Sequence, residues 1–199
     1  MMSKISVHNR GTNPLALWRT LAQEIHAAGA RLLVHTTGPT ANDLVRIGVD
    51  SIEHGPSLSA ESVRIMADQG IAWAPTVWTM MKNVERALSI PGVGDYISGK
   101  LEQMRASLAL AADLGVPLLL GTDEAPHGSP HLEALAMHEF GLSEAQVLAA
   151  ASSAARCFLR LPTAPEISAS FVLYHDDPRR CLQTLAEPAA VVVDGVRLL

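Results

Sequence analysis

Arg31-Leu32-Leu33-Val34-His35, then an amphipathic stretch over Thr40–Ile47 stopped by Gly48, then Val49-Asp50-Ser51-Ile52-Glu53-His54: this run decides the fold. Leu32, Leu33 and Val34 in a row suit a short strand buried on both faces. Gly48 is the residue type that closes a helix in a left-handed turn. Strand, helix and strand joined by short links make a unit of a parallel α/β fold. The unit repeats outward. Leu15, Leu17, Trp18, Leu21 and Ile25 mark a helix over Leu15–Ala28. Ser59–Gln69 reads as a helix with Ser59 as N-cap and Gly70 just past its end. Ile71–Val77 is the next strand, and Trp78–Leu114 is helical with a break around Pro91–Gly94. Val116–Leu120 is a further strand, ending in Gly121-Thr122-Asp123. Ser129–Phe140 is a helix with Pro130 at its first position, and Ser143 with Gln146 is a capping box opening a helix to about Leu159. Pro162 and Pro165 break the pattern; Ser168–Tyr174 and Ala190–Val193 are β-like, and Asp194-Gly195 is a turn before Val196–Leu199. The tail is expected to form a small separate β segment.

The 199 residues carry 48% hydrophobic and 18% charged side chains, which excludes a disordered chain and allows one ordinary domain with a small appendage. A net charge of −5 gives no reason to expect nucleic acid or an anionic membrane as partner. No apolar run approaches the roughly 20 residues of a membrane span. Cys157 and Cys181 read as ordinary thiols, so a cytoplasmic location is expected. There is no phosphate-binding glycine loop and no nucleophile elbow around Ser152 and Ser153.

Three strand ends carry groups that could do chemistry: His35, His54 and Asp123. In parallel α/β folds ligands and catalytic groups collect at the C-terminal ends of strands. Two imidazoles and a carboxylate there make a usable set for a divalent metal. Each alone has a plainer reading, a hydrogen-bonded structural histidine or an Asx turn. Glu53 is expected on the opposite side from His54, in a helix-facing salt bridge. The segment His127-Gly-Ser-Pro-His131-Leu-Glu133 is either a solvated loop with a helix start or a loop touching substrate. His8, His26, His138 and His175 have no partner pattern and are expected at the surface.

At these residues the chain resembles the amidohydrolase superfamily, and within it the imidazolonepropionase-like and prolidase-like members. Leu32-Leu-Val-His-Thr-Thr-Gly38 is similar to the family's fifth-strand histidine motif, and Gly48-Val-Asp-Ser-Ile-Glu-His-Gly55 to its sixth-strand motif. Gly70-Ile-Ala-Trp-Ala-Pro-Thr76 and Leu120-Gly-Thr-Asp123 resemble the seventh and eighth strands. Ser170–Tyr174 and Val191–Gly195 resemble the returning strands of the accessory β-sandwich. The resemblance implies a partial (β/α)8 TIM barrel over residues 1–161, about strands 4/5 to 8, followed over 162–199 by a strand segment of the sandwich. It implies metal ligation by His35, His54 and Asp123, with Asp123 also the catalytic base. Zn2+ suits such donors best. The family's His-x-His pair is missing, so the metal centre is incomplete. Lys4 is either the family's bridging lysine or a solvated lysine at a frayed terminus. The implied function is a metal-dependent amidohydrolase acting on carbon–nitrogen bonds of amides, cyclic amides or dipeptide-like small molecules. The alternative is a non-catalytic fragment or pseudoenzyme that acts through association. Leu32, Val34, Ile52, Trp73, Leu118 and Leu120 are expected on an uncovered inner face, so self-association is expected as well.

Overall fold

Residue burial alternates strictly along Arg31–Thr36, with Leu32, Val34 and Thr36 sealed and Arg31, Leu33 and His35 half open. The strand therefore has one covered face, not two. The structure, a computed structural model, describes residues 15–90, 92–123, 128–161 and 169–199, and the backbone of residues 2–6. Strands β1 (Met2–Ser6), β2 (Arg31–Thr36), β3 (Ser51–His54) and β4 (Ala72–Ala74) pair in parallel in that order. Helices α1 (Leu15–Ala27), α2 (Ala41–Arg46) and α3 (Ala60–Gln69) connect them, which is the alternation that the apolar spacing predicts.

Leu32, Val34, Ile52 and Trp73 point into one core with Leu44 and Val45 of α2 and Val63 and Met66 of α3. These strand residues are thus covered by helices of the same chain, contrary to the expected bare apolar face. Register places Leu33 and His35 beside Ser51 and Glu53, and these beside Ala72 and Ala74. The opposite sheet face therefore mixes small side chains, Ser51, Ala72 and Ala74, with Leu33, His35 and Glu53. Glu53 shares it with His35, and its carboxylate accepts from the Ser51 hydroxyl at 2.7 Å, not from a helix-borne cation. Lys4 is also not in a frayed end: it lies in β1, and its backbone pairs with Leu33 of β2.

Two expected strands are shortened. The chain leaves β4 at Pro75, and Val77 already opens helix α4 (Val77–Ala87). Val116–Leu120 runs beside β4 through one parallel bridge, Trp73 with Leu118, using Trp73 N to Pro117 O and Leu119 N to Trp73 O. Pro117 has no N–H to extend the ladder. Helices α5 (Val93–Leu114), α6 (Pro130–Glu139), α7 (Glu144–Ala151) and α8 (Ser153–Phe158) follow in order around this segment. The Ser143–Gln146 capping box is present, and the helix it opens breaks at Ser152. In the tail, β5 (Phe171–Leu173), β6 (Ala190–Val193) and β7 (Val196–Arg197) form a separate antiparallel sheet. Both cysteines are free and exposed. Among the described residues no helix is long and apolar enough to cross a membrane.

Candidate functional site

Alternation alone would put His35 and His54 on opposite sheet faces, because His54 pairs in register with Thr36. The backbone solves this. His54 adopts φ 68°, and this left-handed turn re-aims its ring across the end of the sheet. His54 Nε2 then lies 2.7 Å from His35 Nδ1, with the two rings edge to face. Gly55 turns the same way at φ 57°; a Cβ there would meet Ile52 Cγ2 and Leu58 Cδ1 at 2.9 Å. Trp73 Nε1 donates to the His54 carbonyl at 2.9 Å and holds the turn.

Asp123, at the end of the segment beside β4, takes φ 47°, and Thr76 takes φ 52°. Left-handed backbone in a β-branched threonine is costly and persists only where its surroundings impose it. Here the imposing group is Glu133. Its carboxylate is sealed from solvent and accepts from the Val77 and Trp78 amides, both at 2.8 Å. It caps α4 from another helix, and burial raises its carboxyl from 4.5 to about 7 against the lowering effect of those two amides. Thr76 is thereby set against the imidazole: its Oγ1 lies 2.7 Å from His54 Nδ1 and 2.7 Å from the Pro75 carbonyl. The threonine has one proton to give, and the Pro75 carbonyl can only accept. The hydroxyl therefore accepts from His54 Nδ1–H, and His54 Nε2 turns its lone pair toward His35 and Asp123.

Asp123 Oδ2 is 3.7 Å from His54 Nε2, too far for a direct hydrogen bond and right for a bridging atom. Asp123 is about half exposed and His54 is buried, so the carboxylate forms the solvent side of the site. Thr79 Oγ1 donates to the Thr122 carbonyl at 2.7 Å and ties α4 to the Asp123 turn.

All three residues expected from the sequence thus meet at the strand ends. Two imidazoles and a carboxylate suit a divalent cation in donor type, and a hydrogen-bonded Nδ1 is the outer partner that a ligating Nε2 needs. Among the described residues, however, no group of three or more His, Cys, Asp or Glu side chains closes into a metal cluster. Of the segment after Asp123, His127 lies outside the described residues, and His131 sits half-buried in the first turn of α6. Of the histidines expected at the surface, His8 lies outside the described residues and His26, His138 and His175 are exposed; His26 Nε2 also meets Asp50 Oδ2 at 2.7 Å, and His138 Nδ1 the Leu142 carbonyl at 2.7 Å. The sequence marks Thr76 only as the end of a strand motif and Glu133 only as the end of the His127–Glu133 segment; their connection to His54 through the start of α4 has no sequence signal. A cavity of about 570 Å3 opens next to the pair, where Thr36 and Pro56 leave β2 and β3 and face α4 and α5.

No protein-family model matches the chain. Uncharacterised proteins of Mycobacterium tuberculosis and Mycobacterium bovis are each 31% identical over 186 residues, covering 85% of this chain and 48% of the relative. A Xaa-Pro dipeptidase with methionine bound in its active site superposes with TM-score 0.81 at 22% identity, over 98% of this chain and 53% of that one. A. niger ochratoxinase gives 0.85 at 18% identity, over 98% and 50%. A prolidase complexed with N-methylphosphonate-L-proline gives 0.78 at 19%, over 96% and 50%. The chain spans about half the length of the relatives it matches. Its fold is the α/β fold of prolidase- and amidohydrolase-family structures, the family that its strand-end motifs resemble.

Proposed function

We propose that this chain carries the metal-binding and proton-transfer side of an amidohydrolase that cleaves carbon–nitrogen bonds of amides, cyclic amides or dipeptide-like molecules. Its sheet and the Val116–Leu120 segment are then the later strands of a (β/α)8 barrel, and β5–β7 a part of the accessory sandwich. The observation that carries the reading is the convergence of His35, His54 and Asp123 at the ends of parallel segments, β2, β3 and the one beside β4. His35, His54 and Asp123 would hold the divalent cation, Zn2+ by donor type. When bound, such a cation polarises a carbonyl and lowers the pKa of water toward neutrality. His54 is fixed in one tautomer by Thr76 and presents Nε2 to the site. Asp123, accessible and beside that nitrogen, takes the proton of the attacking water and returns it to the leaving nitrogen. Glu133 keeps Thr76 in place through the start of α4.

The test is a metal-supplemented screen of dipeptides, N-acyl amino acids and cyclic amides, with and without chelator, beside Asp123→Asn. Chelator-sensitive hydrolysis should fall by at least about 10²-fold in the variant. Hydrolysis indifferent to chelator, or retained in the variant, would reject the assignment.

One observation favours a second reading, association with another chain. Phe171, Leu173, Val193, Val196 and Leu198 on the small sheet are all exposed. Light scattering on the eluted protein separates the readings: self-association without any hydrolysis supports the second, and a monomer near 21.2 kDa that hydrolyses amides supports the first alone.

A further inference from the structure

The cavity beside the histidine pair has a charge character opposite to that of the protein. The chain carries a net charge of −5, yet none of the described residues lining this cavity is acidic and two, Arg86 and Lys100, are cations. Arg86 sits in the last turn of α4 and Lys100 on α5. Neither has a carboxylate partner among the described residues. Among the described residues, Lys100 Nζ meets neutral groups, the Gln103 amide oxygen at 3.2 Å and the Tyr96 ring at 5.8 Å. Two cations drawn to one concave surface without a counter-charge repel each other, and an anion relieves that repulsion. Apolar side chains line the same space: Met80, Ala87, Ile90 and Ile97. About 570 Å3 lies within the range of small-molecule sites, and it is far more than an inorganic anion fills.

We propose that this cavity is a binding site for a small organic carboxylate with an apolar body, held by Arg86 and Lys100 at the charged end and by Met80, Ile90 and Ile97 along the body. Arg86 supplies a planar fork that matches a carboxylate, and Lys100 adds a point charge. Asn83 and the Thr36 and Thr37 side chains line the same space and can hydrogen-bond polar substituents. The site goes beyond the hydrolase reading, since binding there needs neither metal nor turnover.

Titration calorimetry on the full chain in metal-free buffer tests it, with 4-phenylbutyrate as the probe and neutral 4-phenylbutanamide as its control. The carboxylate is expected to saturate and to bind at least about 10-fold more tightly than the amide, the usual range for hydrogen bonds to a charged group. Arg86→Ala/Lys100→Ala should remove that preference; Arg86 is exposed and Lys100 partly so, and circular dichroism checks that the variant folds. His35→Ala/His54→Ala should leave binding unchanged, which separates this site from the proposed metal centre. Equal affinity for acid and amide, absence of saturable binding, or undiminished preference in the Arg86/Lys100 variant would overturn the proposal.

Discussion

Glu133→Gln tests how α4, and through it Thr76, is held in place. Glu133 is fully buried, and its carboxyl is raised from 4.5 to about 7, chiefly by burial. Between these two values the folded chain keeps the proton and the unfolded chain has lost it. Unfolding then releases a proton, so the contribution to stability is complete below pH 4.5 and is lost as pH rises past about 7. At 1.36 kcal/mol per pH unit, the loss across this window is about 3 kcal/mol. Glutamine does not titrate. It keeps one acceptor for the Val77 and Trp78 amides and turns an NH2 group toward the other, a cost of about 1–3 kcal/mol that does not depend on pH. Urea unfolding of both proteins from pH 4.5 to 8 separates the two contributions. The stability of the parent minus that of the variant should fall by about 3 kcal/mol as pH rises. A difference that stays flat, or grows with pH, would mean that the two amides outweigh the burial.

Gly55→Ala should cost about 1–3 kcal/mol, read as a lower urea midpoint, because its Cβ would stand 2.9 Å from Ile52 and Leu58 in a left-handed turn; an unchanged midpoint would contradict the turn. Asn42→Ala should cost about 2–4 kcal/mol, since that side chain accepts from Ser59 N and Ser62 Oγ and donates to the Pro39 and Ser57 carbonyls; a loss below about 0.5 kcal/mol, the lower edge for a single hydrogen bond, would remove it as a tie between α2 and α3. Thr76→Val should free the His54 tautomer, visible in imidazole 15N shifts, and weaken metal binding by about 10–100-fold; an unchanged tautomer would mean that something other than the hydroxyl fixes the ring.

The parts of this fold that were legible in the sequence are those set by local chemistry. Ser59 caps α3, Gly70 closes it in a left-handed turn, and the Ser143–Gln146 box opens α7, each through bonds a few residues apart. The strand ends at His35, His54 and Asp123 were legible for the same reason, as apolar runs finishing in polar residues. What escaped depends on contacts distant in sequence. Ile71–Val77 is β-branched enough to pass for one strand, but Glu133 reaches in from α6 and starts a helix at Val77. The left-handed backbone at His54 has no signal in its own residue type and reverses which face the ring serves. Burial sides could not be assigned from apolar runs alone: Leu32 and Val34 face helices, and the other face of the sheet carries the small side chains of Ser51, Ala72 and Ala74 with Leu33, His35 and Glu53.

His35, His54 and Asp123 are proposed to act together on one divalent cation. Titrating metal-free protein with Co2+, then displacing it with Zn2+, measures this most directly, because visible absorption reports nitrogen and oxygen ligation. A saturable Co2+ spectrum that Zn2+ abolishes is expected, with affinity at least about 100-fold weaker in His35→Ala/His54→Ala. Equal affinity and the same spectrum in parent and double variant would contradict it.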